Sequence, residues 1–449
     1  MKKLLLILIS ILMPAGNALC ESSNLSFFMA RNIMYERSDS LKAAQWNVQS
    51  KREAMESTKW LHGPTISAQA FEIWGETRID IDKSVPTPLG AMPVQLEENY
   101  NFSGPRASIS GTLPIFTGGK IPAIQKTSKF ALDEAKAQHR NQSVELDAEL
   151  IGKYFGLQLA VSVQKLRQDM LAQQNRELER AIKFEQQGMI SRVECMGVQV
   201  ARDAAEREFL KARDAARTAR LQLARLMLEE NFGALTTPLF VLKKPLEAMK
   251  HWAELAVSNN PQVAVVEARV KQADQGVEAS KSSWSPQIFA FGQYSFIRHY
   301  QTAIEPTWLA GLGINLTIWD AKDRLSSYRS ARATLRQARA AHAEAVNQVR
   351  TAAETAWLNT QNAREQYNLT ASTVSRAQEN LKLKSRGFGE GLSTALDVTE
   401  ARNQLLEAEV GRRVAAFEFI VNYAMLHAIA GKMDDFMSAY NRHEVIVEK

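Results

Sequence analysis

The stretch "LPIFTGGK", Leu113–Lys120, has a second copy later in the chain, "LTIWDAKD", Leu316–Asp323. The two copies are 203 residues apart, and the same offset relates Gly188 to Gly391. The offset of 203 residues therefore holds without a gap from these motifs to the two glycines. The chain is a duplication, and each half predicts the order helix, strand, loop, strand, long helix, glycine break and helix.

Two stretches in each half alternate apolar with small or polar residues. Every second residue is apolar from Trp308 to Ile318, and a similar alternation runs from Ala107 to Ile115. A period of two is typical of a strand with one apolar face. The predicted strands occupy about residues 64–75, 101–116, 286–297 and 307–319.

The stretch from Pro64 to Ile115 is 19 residues longer than its counterpart in the second half and contains Pro86, Pro88 and Pro93. These turn residues predict a longer loop in the first half. Aromatic residues gather at the strand ends, as they do at the interfaces of membrane-spanning strands. They are Trp74, Tyr100, Phe102, Phe116, Tyr294, Tyr300, Trp308 and Trp319. A soluble sandwich also buries one strand face, and this alternative stays open.

The helices are predicted to be long, because no proline occurs between Pro122 and Pro238 or after Pro306. A single helix from Ala123 to Gln187 would reach ~100 Å at ~1.5 Å per residue. Its seam residues follow steps of three and four, with much alanine and glutamine, which is typical of closely packed coiled coils. Long helices are expected at about 120–230 and 320–430.

The N-terminus has the features of a secretory signal peptide, with cleavage expected after Ala18. Lys2 and Lys3 precede an apolar run, Leu4–Met13, that is too short to span a membrane. Cys20 raises lipidation as a rival, although Leu19 is a poor residue in front of a lipidated cysteine. The other cysteine, Cys195, is expected to be unpaired and packed on a helix.

The composition excludes several functions. The formal charge of +6 is spread over a surface of mixed sign and gives no nucleic-acid footprint. The seven histidines have no ligand-like spacing. There is no Ser-His-Asp set and no phosphate loop, and "TGGK" at Thr117–Lys120 is too short for one. We therefore expect that the protein is not an enzyme and that it binds neither a metal nor a cofactor.

The number of strands bears on assembly. Each half supplies two strands, so one chain supplies four, which cannot close a barrel. An open sheet edge cannot lie in lipid. If the strands are in a membrane, several chains must share one barrel, and three chains would supply 12 strands.

Two glycine breaks interrupt the long helices. "QGMISRVECMGV", Gln187–Val198, corresponds to "GEGLSTALDVTEA", Gly389–Ala401. The spacing of Ser191 and Glu194, and of Thr394 and Asp397, predicts a capping box in each tract. Gly188 and Gly391 suit the left-handed turn that ends the preceding helix. A helix cap is thus the local role expected of both acids.

This arrangement resembles the TolC family of outer-membrane efflux proteins over essentially the whole mature chain. The residues that carry the resemblance are "ELAVSNNPQVAVVEARVKQADQGVEASKSSWSPQI" (Glu254–Ile288), the junctions "GTLPIFTGGK" and "INLTIWDAKD", and the tracts that begin at Gly188 and Gly391. The resemblance implies a mostly α fold with a small β part. It would be a homotrimeric coiled-coil tunnel, continued by a shared 12-stranded transmembrane β-barrel in the Gram-negative outer membrane and spanning into the periplasm.

The resemblance also implies a domain order and partners. The parts are a signal peptide (1–18), a first repeat (19–230), an equatorial linker (231–261), a second repeat (262–430) and a C-terminal equatorial tail (431–449). The chain would be the exit duct of a tripartite efflux or type I secretion system. It would conduct small molecules or polypeptides passively, with a periplasmic adaptor, an inner-membrane transporter and outer-membrane lipid as partners. The alternative is a secreted or periplasmic coiled-coil scaffold without a pore.

The helix tips would carry the functional residues. By resemblance, Asp397 and Glu400 would line the pore constriction, with Glu194 as a further acidic residue. The turns would contact the adaptor through Gly188, Ser191, Gly391, Ser393 and Thr394. The first tip departs from this pattern, because Gly197 occupies the position that matches Glu400.

Overall fold

The computed structural model describes residues 24–88, 90–298, 306–319 and 323–448. The predicted signal peptide, Cys20 and Tyr300 lie outside these residues. The helices are α1 (Phe27–Arg37), α2 (Asp39–Lys59), α3 (Lys120–Gln186), α4 (Arg192–Met227), α5 (Met249–Asn259), α6 (Pro261–Lys281), α7 (Arg324–Gly389), α8 (Ala395–Ile429) and α9 (Ser438–Asn441). The strands are β1 (Thr65–Thr87), β2 (Gly90–Phe116), β3 (Leu239–Leu242), β4 (Gln287–Arg298), β5 (Trp308–Asn315) and β6 (Val445–Glu448).

The fold is mostly helical with a small sheet, and the duplicated order of elements is confirmed. The two longest helices, α3 and α7, contain 67 and 66 residues and occupy matching places in the two halves. Pro122 lies in the first turn of α3, where its missing N–H leaves no helical hydrogen bond unmade. Each long helix ends at a glycine turn that leads into a shorter helix, α4 or α8.

The chain divides into two compact units that do not follow the two repeats. The first contains the described residues up to Leu41, Ser143–Ala256 and the described residues from Arg350 onward. The second contains Lys42–Gln142 and Val257–Val349. Each unit therefore takes one part from each sequence repeat.

The second unit holds a four-stranded antiparallel sheet in the order β1-β2-β4-β5. The strands of the first half extend further than the sequence predicted, because the turn-rich stretch forms a long β1–β2 ribbon instead of a loop. Pro93 is accommodated there opposite Ser84, in a part of β2 that has no β4 partner among the described residues. The missing N–H of a proline is tolerated on such an edge.

One face of this sheet is mostly apolar across all four strands. Residues directly opposite each other in an antiparallel pair share a face. Ile109 pairs with Tyr294, which pairs with Trp308. Ala290 pairs with Leu113 and with Leu312 in the same way. Several large apolar side chains of this face are exposed in the single chain: Ile66, Trp74, Ile109, Leu113, Ile115, Tyr294, Trp308, Leu312 and Ile314.

The main core lies in the first unit and includes a segment that the sequence analysis did not assign. Leu25 and Phe27 are buried there, and the Leu25 carbonyl accepts a hydrogen bond of 2.8 Å from the Tyr154 hydroxyl. The Phe27 ring packs edge-on against Tyr154, with centroids 5.6 Å apart. Strand β3 pairs with β6, so the residues after α4 meet the C-terminal tail in this core.

Two buried polar clusters tie distant parts of the first unit together. Asp147 is almost fully buried, and it accepts hydrogen bonds from Arg31 at 2.7 Å and from the Tyr35 hydroxyl at 2.7 Å. Burial is the main cause that raises the pKa of Tyr35, so this phenol stays neutral and can donate. In the second cluster, Arg412 donates to Glu448 at 2.8 Å, which attaches β6 to α8.

Candidate functional site

The first helix tip lies between α3 and α4 and is a left-handed glycine turn. Gly188 has a φ of +72°, a conformation that side-chain-bearing residues rarely adopt. The amide of Met189 donates to the Phe184 carbonyl at 2.8 Å, which satisfies one of the free carbonyls at the end of α3. The turn thus ends one helix and leaves the next to begin three residues later.

Ser191 caps α4 in the predicted manner. Its hydroxyl accepts a hydrogen bond from the amide of Glu194 at 3.2 Å, and the Glu194 carboxylate accepts one from the amide of Ser191 at 2.9 Å. This reciprocal pair is a capping box. The carboxylate of Glu194 is therefore engaged with the backbone, although the residue as a whole is exposed.

The second tip, between α7 and α8, repeats this geometry. Gly391 has a φ of +75°, and the amide of Leu392 donates to the Gly387 carbonyl at 2.7 Å. Thr394 accepts from the amide of Asp397 at 3.1 Å, and Asp397 accepts from the amide of Thr394 at 2.9 Å. Both predicted capping boxes are therefore confirmed.

The two predicted acids of the second tip have different surroundings. The hydrogen bonds from Thr394 lower the pKa of Asp397, and the ammonium of Lys384, 3.4 Å away, acts in the same direction. Asp397 is thus an ionised carboxylate that faces its own helix end. Glu400 is exposed and makes one long contact, 3.5 Å, with the Gln404 amide. Of the two, Glu400 is the acid whose side chain is directed into solvent.

A cleft of about 590 Å³ lies between the two tips. Five of the eight predicted site residues line it: Glu194, Gly391, Ser393, Thr394 and Asp397. Gly188, Ser191 and Glu400 are not among its lining residues. The structure thus brings the two capping acids to one cleft and leaves Glu400 outside it.

The cleft also contains an ion pair that the sequence analysis missed. Arg402 of α8 contacts Glu177 of α3 at 3.4 Å, and their side chains are only 16% and 25% exposed. Arg180 lies 3.6 Å from the same carboxylate. Arg402 and Glu177 are 225 positions apart in the chain, and no local pattern marks them as partners. This pair connects α8 to α3 close to the tips.

The first tip carries an apolar surface in addition to its cap. Met189, Val193, Met196 and Val200 are each more than half exposed. The three on α4 follow steps of three and four, so they lie on one helix face. In the second tip, Leu392 and Leu396 are exposed at the positions that match Met189 and Val193.

Within the described residues, no group of three or more His, Cys, Asp and Glu side chains is placed to hold a metal ion. Cys195 is a free, buried thiol on α4, as expected. No helix among the described residues is both long and apolar enough to cross a membrane.

Comparison with known protein families identifies the family of this chain. Residues 32–227 and 252–411 match the family model of outer membrane efflux proteins. The chain belongs to this family. It is an outer-membrane protein that extends into the periplasm and forms an efflux duct, and the expectation that it is not an enzyme is confirmed by this membership.

Solved structures show the same fold at low sequence identity. The CmeC outer membrane channel of Campylobacter jejuni has a TM-score of 0.73 and 12% identity, with 93% of this chain and 89% of that chain covered. VceC of Vibrio cholerae has a TM-score of 0.71 and 16% identity, with coverage of 91% and 96%. The open state of the MtrE channel of Neisseria gonorrhoeae has a TM-score of 0.69 and 18% identity, with coverage of 91% and 89%. No curated protein sequence matches the chain significantly.

Proposed function

We propose that this efflux protein is the exit duct of a tripartite efflux or type I secretion system and works as a homotrimer. It conducts small molecules or polypeptides passively from the periplasmic end to the outside. A periplasmic adaptor and an inner-membrane transporter are its partners. The apolar face of the four-stranded sheet, exposed in the single chain, is the observation that carries this proposal.

The edges of the sheet support the trimer. Within the described residues, β1 pairs only with β2, and β5 pairs only with β4. Both edge strands therefore present unpaired backbone groups, which are costly in lipid. Pairing β5 of one chain with β1 of the next removes both edges. Three copies give a closed sheet of 12 strands, which is within the range of membrane barrels.

A wash experiment separates this proposal from a periplasmic scaffold. We expect the protein to stay in outer-membrane fractions after washing with high salt and with urea, and to be extracted by detergent as a species that dissociates on heating. The apolar sheet face explains this, because neither wash replaces lipid around it. Release by salt or urea alone would favour the scaffold and contradict the duct.

The tips are the proposed periplasmic entrance. In a trimer, Asp397 and Glu400 each form a ring of three carboxylates, and Glu194 adds a third ring. The exposed Glu400 is best placed to bind a cation that bridges chains. Asp397 stays ionised because of its cap, so it contributes charge to the entrance while it stabilises α8. These acids would attract cations and narrow the path.

The turns themselves are the proposed adaptor contact. Gly188, Ser191, Gly391, Ser393 and Thr394 form compact ends on two helix pairs, and Met189 and Leu392 are exposed beside them. A glycine turn leaves little side-chain bulk, so another helix end can approach its backbone closely. Cysteines placed at Met189 and at Leu392 should crosslink to the adaptor in cells, whereas a cysteine at the exposed Lys250 should not.

A further inference from the structure

A basic stripe follows one face of α3 in the second unit. Lys126, Lys129, Lys136 and Arg140 are exposed and are separated by steps that keep them on one side of the helix. Between Ala123 and Arg140, the only other exposed residue is Asp133. The remaining positions are buried or half-buried. The single uncovered face of α3 in this stretch is therefore the basic one.

The same stripe recurs on α7 at the repeat offset of 203 residues. Arg329, Arg332 and Arg339 match three of the α3 residues, and all three are exposed. Arg336 takes the place of Asp133, so the α7 stripe has no acid. The buried Leu335 matches the buried Leu132. The two stripes therefore lie at the same position around the helix axis, relative to this buried side chain.

Positive charge is retained at three matched positions, 126/329, 129/332 and 136/339, although most residues differ. Only four of the 21 positions from 120 to 140 are identical to those from 323 to 343. At the matched pairs the residue changes from lysine to arginine while the sign stays. Like charges three and four residues apart destabilise a helix. Lys126 with Lys129 and Arg329 with Arg332 are such a pair at the same place in both copies, and a solvated surface alone does not require it.

Most cations of the two stripes form no ion pair with a neighbouring side chain, although Arg329 helps to lower the pKa of Asp323. Within the described part of the chain, Lys126, Lys129 and Lys136 form no ion pair, and neither do Arg329, Arg332 and Arg336. Arg339 lies 4.0 Å from Asp274, at the limit of such a contact. Asp133 lies within the α3 stripe itself, and the adjacent Glu134 is already held by Arg269 at 2.8 Å. Near Lys136, Glu267 is paired with Lys271 at 2.8 Å.

Their distance from the sheet argues against lipid headgroups as the ligand. Lys126 is ten residues beyond the end of β2 at Phe116, or ~15 Å along a helix at ~1.5 Å per residue. Arg140 is ~36 Å beyond that strand by the same measure. The headgroup layer adds only ~5–8 Å on each side of the hydrocarbon core. Most of each stripe is therefore beyond the reach of a membrane phosphate.

We propose that the paired stripes of α3 and α7 face the conduit and bind anionic groups of the cargo, so that the duct passes molecules that carry phosphate, sulfate or carboxylate groups. This inference rests on the proposed function, because three chains would place six such stripes around one path. Rings of Lys and Arg are the arrangement that proteins use to admit anions.

The test is block of single-channel current in a planar bilayer by inorganic tripolyphosphate, added to each side in turn. The variant replaces six residues by glutamine: Lys126, Lys129, Lys136, Arg329, Arg332 and Arg339. We expect it to need about tenfold more tripolyphosphate for half-block, the loss expected from two or three weak charge contacts. Asp133→Asn should shift half-block in the opposite direction, by about twofold.

A matched control replaces Lys243, Lys244 and Lys250, three exposed lysines of the first unit, and should leave the block unchanged. Equal block in the wild type and in the six-residue variant would overturn the inference, since the stripes would then face outward. A change of the same sign in Asp133→Asn and in the six-residue variant would overturn it as well. A wild-type protein that conducts no current would instead contradict the proposed duct itself.

Discussion

The two helix tips share one backbone and differ in their side chains. Gly188 and Gly391 adopt nearly the same φ, +72° and +75°, and each is followed by a capping box at the same spacing. The second tip adds Glu400 and a lysine beside its capping acid. The first has Gly197 at the matching position and an exposed apolar face that continues along α4.

Residues that both tips share are those that the turn itself requires. Residues that differ between the tips are candidates for a role in the assembly. The glycine and the hydroxyl–acid pair are present in both copies because each long helix must end and the next must begin. Glu400 has no counterpart in the first copy and no part in the cap, so local structure does not explain it. The proposed entrance chemistry therefore belongs to the second tip, with Glu194 in a minor role.

The largest effect should come from removing the acids of the second tip. The double variant Asp397→Asn with Glu400→Gln is expected to weaken block of single-channel current by divalent cations roughly tenfold or more, because carboxylate count sets the affinity of such oxygen sites. Glu194→Gln is the matched variant of the first tip and should change block less. Unchanged block in the double variant, or a larger effect from Glu194→Gln, would break the proposed asymmetry.

Substitution of the turn glycine should instead have the same effect in both tips. An added Cβ meets no atom within 4 Å at Gly188 or at Gly391, so the cost of Gly→Ala there is that of the left-handed backbone alone. We expect each substitution to lower the free energy of local opening by about 1–2 kcal/mol. Hydrogen exchange of the Met189 and Leu392 amides measures this. A loss confined to one tip would show that the turns are not equivalent.

The capping hydroxyls should give a smaller and equally symmetric effect. Ser191→Ala and Thr394→Ala each remove the acceptor of one first-turn amide, at a cost of about 1 kcal/mol. Exchange of the Glu194 and Asp397 amides reports the loss. Ser191→Thr and Thr394→Ser keep a hydroxyl and should exchange nearly as the wild type does. If they exchange as fast as the alanine variants, the hydroxyl is not the cap.

Acid should weaken the cap of the second tip, and this is the smallest of the expected effects. The folded pKa of Asp397 lies below its usual value, so its stabilisation of α8 is complete above about pH 4 and is lost as the pH falls through the folded pKa. Protection of the Thr394 amide should therefore fall as the pH drops below about 4. Asp397→Asn is the control and should show no such step in that range. A step that persists in this variant would assign the titration to another group.

Local patterns in the sequence predicted the parts of this structure that depend on neighbouring residues. Alternation located the strands, the shared offset located the tips, and the spacing of Thr394 and Asp397 predicted the cap. The loop that the turn-rich composition predicted around Pro93 was wrong. A proline in a ribbon with one free edge costs little stability, so the strand continues through it. Composition alone does not show which strand edge lacks a hydrogen-bonded neighbour.

The features that the sequence did not predict depend on contacts between residues that are far apart in the chain. The burial of Leu25 and Phe27, the contact of Arg31 with Asp147, and the contact of Arg402 with Glu177 join residues more than 100 positions apart. Each of these residues is ordinary in its own stretch of sequence. Only the packed first unit shows that a segment before α1 completes the core and that Arg402 connects α8 to α3 near the tips.

The central claim is that three copies close one sheet through β1 and β5. The most direct measurement is the mass of the detergent-extracted protein by native mass spectrometry. We expect a particle of three chains that survives mild detergent and separates into single chains on heating. A single chain or a pair, stable after extraction and still conducting in a bilayer, would contradict it.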